Sequence, residues 1–155
     1  MSKLKAALWA GVVAAVLNGL VLAAAGLVPL TVTHGGLLRY LAFATGLAAP
    51  KEVAFEPTFN LIVGVAAALI YAGFIESRLR GPAVLKGLIC AAATWLLDAV
   101  YILPAVGEGF AGGRGLTAPG IAWSAAAHLL FFMVLARLYA RLTRGPAIAD
   151  PAFPE

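Results

Sequence analysis

Residues Val84–Pro104 read VLKGLICAAATWLLDAVYILP, an apolar run long enough to cross a bilayer that carries a single carboxylate, Asp98, within it. About 20 consecutive apolar residues span the hydrocarbon core, so the stretch reads as a transmembrane helix. An acid at that depth costs about 2.5–3.5 kcal/mol on insertion scales and marks a functional site unless a partner explains it. His128, Asn18 and His34 are its candidate partners.

Working outward, three more runs have the same character, and spans are expected at about 4–28, 58–79, 83–103 and 119–142. The composition agrees: 63% of the 155 residues are hydrophobic and 12% charged, against about 45–50% and 25% in soluble domains. The length holds one transmembrane domain, 1–145, followed by a polar, Pro-rich tail, 146–155, expected to be loose. After Leu4 the apolar sequence continues without a cleavage region, so the first run is expected to be a retained span and not a removed signal. Cys90 is the single cysteine, which excludes an internal disulfide or a thiolate metal site and leaves it as a small packing residue.

The net charge of +4 follows the membrane and does not call for nucleic acid. Lys3, Lys5, Arg78, Arg80, Lys86, Arg137, Arg141 and Arg144 fall on one side and Arg39, Lys51 and Arg114 on the other, eight against three. By the positive-inside rule both termini are cytoplasmic and the two longer loops face outward. In the first of these, Leu37–Ala49 is apolar but too short to span, and reads as a re-entrant or interfacial helix with Arg39 and Tyr40 at headgroup level and Thr33 as its cap. The second, GEGFAGGRG, lacks the Lys-Ser/Thr pair of a phosphate loop and reads as a connector.

Small residues recur every fourth position in span one, at Ala7, Gly11, Ala15, Gly19 and Ala23, and in span two after Asn60, at Gly64, Ala68 and Ala72. Such stripes let membrane helices approach closely; the one on span one is expected to mediate self-association, and the plainer alternative is that alanine is abundant. Glu76 and Arg80 are four apart and read as a helix-end pair. Setting Asn60 against His128 aligns Ala68 with Ala136, Tyr71 with Tyr139 and Ala72 with Ala140, a faint repeat of two halves.

At about 1.5 Å per residue, Asp98, His128 and Asn18 lie about 9, 13 and 15 Å from the outer helix ends, with Asn60 near the mouth. The polar side chains therefore gather in the outer half, where Glu56, Glu108, His34 and Arg114 can approach from the loops, and the inner half is expected to be nearly all apolar. Ser124 shares a face with His128, and Thr94 with Asp98. The candidate ligand-binding or proton-relay residues are thus Asp98, His128, Asn18, Ser124, Thr94, Asn60 and His34. An Asp98–His128 hydrogen bond would serve a proton-accepting dyad or simply lock two helices together.

Other chemistries are weaker fits. His34 and His128 offer two imidazoles for haem, and His34, His128, Asp98 and Glu56 offer metal ligands, but no close HxxxH or ExxH spacing supports either. Ser124, His128 and Asp98 lack a nucleophile elbow. No cofactor, metal or catalytic residue is assigned.

The stretch LPAVGEGFAGGRGLTAPGIAWSAAAHLLFFMVLARLYARL, with weaker support from GVVAAVLNGL, resembles the small four-span inner-membrane proteins of bacteria of the YagU-like kind, in which a Pro, a Gly-rich outer loop and a His-bearing last helix recur. The resemblance covers mainly Pro104–Leu142 and implies four spans in a bacterial cytoplasmic membrane. His128 matches the family's last-helix His. Phe132 stands where the family tends to have a small residue, which argues against a close helix approach there. The expected protein is all-α, a four-helix integral membrane bundle with a short outer-loop helix. It would bind a small amphipathic ligand, lipid or partner subunit in an outward-facing polar pocket, as an oligomer or in a larger membrane complex. The alternatives are a carrier or proton relay using Asp98 and His128, and an enzyme acting on a lipid-soluble substrate.

Overall fold

The computed structural model describes residues 1–28, 30–31, 35–48 and 55–144, and these are helical with no strand among them. Helix α1 covers Lys3–Leu27, α2 Gly36–Thr45, α3 Pro57–Arg78, α4 Ala83–Ala105 and α5 Ala118–Thr143. At 25, 22, 23 and 26 residues, α1, α3, α4 and α5 are long and apolar enough to cross a membrane. Their bounds lie within a few residues of the expected spans. The start of α1 and the end of α5 share one end of the bundle, where Lys3, Ser77 and Thr143 line a common cleft.

Helix α2 covers most of the short apolar run Leu37–Ala49, starting one residue before it. Gly35 precedes it at φ 69° and Gly46 follows it at φ 70°, both left-handed conformations in which a Cβ is strained. Thr33, the expected cap, and the 146–155 tail lie outside the described residues.

Helix α1 packs against both α3 and α5, and α5 packs against α4, giving the lateral order α3, α1, α5, α4. The two outermost helices, α3 and α4, make no comparable contact. Glycines set the close approaches. A Cβ on Gly64 would sit 2.6 Å from the Ala15 Cβ, one on Gly11 2.6 Å from the Ala68 Cβ, and one on Gly87 2.8 Å from the Phe132 carbonyl oxygen. This backbone proximity, and the dispersion contact it brings, holds the bundle together.

Two expectations change here. The small stripe of α1 is used within the chain from Ala7 to Ala15, because α3 already covers it; that part of the stripe is not free for self-association. Phe132 does not keep helices apart, since Gly87 on α4 makes room for its backbone while its ring turns edge-on to Phe131, centroids 4.9 Å apart. The helix packing does not follow the faint internal repeat, because the α1–α5 contact has no α4–α3 counterpart; two residues it aligned, Tyr71 and Tyr139, meet edge-on with ring centroids 5.8 Å apart.

The interior is built of small residues: Ala6, Ala7, Ala10, Ala14, Ala68 and Ala136 are fully buried. Large apolar side chains point outward instead, among them Leu4, Trp9, Leu20, Ile62, Phe74 and Val100.

Two of the long helices contain a π turn, Tyr71–Ile75 in α3 and Asp98–Ile102 in α4. Each extra residue rotates the rest of the helix by about 100° relative to an uninterrupted one. The first turn precedes Glu76 and the second begins at Asp98.

Candidate functional site

A partly open cavity of about 260 Å³ lies in the half of the bundle nearer α2. Asn18 reaches it from α1, Asn60 from α3, Thr94 and Asp98 from α4, and Ser124 and His128 from α5. Six of the seven residues expected to form the pocket therefore line one space. The seventh, His34, lies outside the described residues, as does the Glu56 side chain. The remaining walls are apolar, including Phe59, Phe131 and Leu22, and the N-terminal turn of α2 covers one side through Gly35, Gly36 and Leu37. Among the described residues no lysine or arginine lines the cavity.

Asp98 and His128 form the polar centre. His128 Nε2 stands 3.4 Å from Asp98 Oδ2, and Nδ1 stands 2.9 Å from the Ser124 carbonyl oxygen. A carbonyl only accepts, so Nδ1 carries a proton and donates it. Nε2 and Oδ2 then face each other with one further proton between them, either as imidazolium and carboxylate or as imidazole and carboxylic acid. Because the imidazole meets the Ser124 backbone and not its hydroxyl, the arrangement does not activate Ser124 as a nucleophile. Thr94 also spends its proton locally, donating to the Cys90 carbonyl at 2.7 Å.

Asn18 differs from the others. Its Oδ1 is buried and accepts no hydrogen bond. An orphaned buried amide oxygen costs about 1–3 kcal/mol, and the residue that bears it is one of those lining the cavity.

Glu108 and Arg114, expected to approach the pocket, are engaged elsewhere. Glu108 Oε1 pairs with Arg39 Nη2 at 2.6 Å, and Arg114 donates to the Gly107 carbonyl at 3.1 Å, folding back onto its own glycine-rich loop. With the Tyr40 hydroxyl donating to Tyr101 at 3.1 Å, the Arg39 pair ties α2 to the C-terminal end of α4 and the loop after it.

The opposite half holds a second polar group that the sequence reading missed, so that half is not nearly all apolar. Lys86 is buried and donates through Nζ to Glu76 Oε1 at 2.7 Å and to the Glu76 carbonyl at 2.9 Å, while the Tyr71 hydroxyl donates to Glu76 Oε2 at 2.7 Å. Glu76 is not paired with Arg80, because α3 ends at Arg78 and Leu79 turns to extended backbone, ψ 125°. The available signal was Lys86 itself, a cation set inside an apolar run. Among the described residues no three His, Cys, Asp or Glu side chains come together to hold a metal ion.

No protein-family description, curated protein sequence or solved structure matches this chain.

Proposed function

We propose that the chain is a multi-pass protein of a bacterial cytoplasmic membrane, with both termini inside, that binds a small amphipathic molecule bearing a hydrogen-bond donor such as an amine or alcohol. The observation that carries this reading is an otherwise apolar cavity lined by both Asp98 and Asn18, the latter with a buried and unpartnered Oδ1, and with no lysine or arginine among the described residues that line it. Large apolar side chains facing outward over an alanine interior support lipid as the surrounding solvent. The eight-to-three division of basic residues supports the orientation.

In this reading the ligand arrives from the lipid through the gap between α3 and α4, the two helices that do not pack against each other. Its apolar part lies against Phe59 and Phe131, and its donor reaches Asn18 and the Asp98 oxygen not engaged by His128. Helix α2 lies at the interface as a cover.

The test uses three probes of equal chain length, octylamine, octanol and octanoate, in thermal unfolding of the purified protein. Octylamine and octanol should stabilise it, by about 2.7 kcal/mol at a hundredfold excess over Kd, and Asn18→Leu should remove the effect. Equal or stronger stabilisation by octanoate, or none by any probe, overturns the reading.

A further inference from the structure

We propose that the protein also translocates its ligand, with Tyr71, Glu76 and Lys86 forming a gate at the end of the bundle opposite the cavity. For the identity of the cargo this rests on the ligand reading above; the gate itself stands on separate geometry.

The two helices that flank the cavity without packing together are joined at their other ends by Lys86 on α4 and Glu76 on α3. On the α2 side α3 and α4 thus flank a partly open cavity, and on the side of the termini they are fastened to each other. Beyond the fastening lies a cleft lined by Glu76, Tyr139, Lys3 and Thr143. Cleft and cavity share no residue, and the layer between them includes Tyr71, Leu135, Ala68 and Ala136, all fully buried. This buried layer separates the two spaces, and within it the Tyr71 hydroxyl is held by Glu76.

The chemistry of the closure suits opening. A permanent seal is made as well or better by packed apolar side chains, and replacing a buried ion pair with them is often neutral or stabilising. An ion pair beside a cleft can exchange its partners for water and re-form. The π turn Tyr71–Ile75, immediately before Glu76, supplies a local change of helix register at that point, and the second π turn starts at Asp98 in the cavity. Lys86, Cys90, Thr94 and Asp98 follow at intervals of four along α4, one face running from gate to cavity.

Cys90, buried and the only cysteine, lies between the two and reports on both sides. Sealed vesicles of each orientation are treated with a charged, membrane-impermeant thiol reagent. Tyr71→Phe, and the double variant Glu76→Gln with Lys86→Met that leaves no unpaired charge, should raise Cys90 labelling from the end of the termini at least tenfold and lower it from the α2 end. Labelling at the wild-type rate in variants that keep their helical signal and unfolding temperature overturns the gate, and so does an equal rise from both ends. Wild type supplies an arm that does not depend on the variants folding. Its Cys90 should react slowly from the end of the termini well below the unfolding temperature, and complete resistance over hours overturns the proposal. None of these measurements needs the ligand, so the gate and the cavity's preference for donors fail separately.

Discussion

Asp98 and His128 meet across α4 and α5 at 3.4 Å, on the one ring nitrogen that the Ser124 carbonyl leaves available. The pair therefore needs a shared proton. Asparagine at 98 can donate through its amide to a neutral Nε2, so Asp98→Asn should cost under about 1 kcal/mol. His128→Ala leaves the carboxylate without a partner; breaking a buried pair costs about 3–5 kcal/mol, and since these side chains remain 24% and 25% exposed, about 1–3 kcal/mol is expected here. Reversible unfolding in mixed micelles measures both. Nitrogen NMR of His128 in a His34→Gln background should show Nε2 of Asp98→Asn as the unprotonated nitrogen of a neutral ring.

Gly64→Ala should destabilise by about 1–3 kcal/mol, because the added methyl meets the Ala15 Cβ at 2.6 Å on a helix pair with no room to separate. Gly19→Ala, with nothing within 4 Å of the new atom, is the control and should be neutral or slightly stabilising through helix propensity. Unfolding of the two variants under identical conditions checks the contrast.

The tie between α2 and α4 should be loose energetically and important for access. Glu108→Gln removes a surface ion pair worth at most about 1 kcal/mol, so overall stability should hardly change while amide exchange in Gly36–Thr45 rises several-fold. The Tyr40 hydroxyl, donating to Tyr101, is held above the ordinary tyrosine value of about 10. A raised value in the folded state means that the contact is intact below pH 10 and lost as pH rises through the higher folded value. Exchange of α2 should therefore accelerate in strongly alkaline solution, and Tyr101→Phe should show the faster exchange already at neutral pH.

Trp123 Nε1 donates to the Val21 carbonyl at 3.1 Å. That oxygen is free because the Ala25 amide bonds to Leu22 and Ala23 as α1 tightens into its last turn. Trp123→Phe should cost about 0.5–1.5 kcal/mol, seen in unfolding, and expose the end of α1 to faster amide exchange.

Helix number, the short helix between the first two long ones and the gathering of Asp98, His128, Asn18, Asn60, Thr94 and Ser124 were legible because hydropathy sets depth and depth sets neighbours. What was not legible depends on helix register and on the ends of helices. The Glu76–Arg80 pair assumed an unbroken α-helix, whereas the π turn before Glu76 rotates the acid toward Lys86 and the helix stops before Arg80. Hydropathy carries no mark of an inserted residue. Lys86 was counted among the basic residues that set orientation, which concealed that its amine is buried. The α1 stripe was legible as a contact face, but a pattern on one helix does not say whether the partner is α3 or another copy.

The alanine interior has a practical consequence for genetics. Substituting alanine through this protein would leave Ala6, Ala7, Ala10, Ala14, Ala68 and Ala136 untouched and would mostly trim side chains that project from the bundle. Apart from a few peaks at buried Tyr71, Leu135 and Tyr139 and at the Glu76–Lys86 and Asp98–His128 pairs, such a scan would give a nearly flat map of a molecule whose positions tolerate very unequal changes. Enlarging each small residue by one or two carbons inverts the experiment, and the helix seams should then emerge as the sensitive lines.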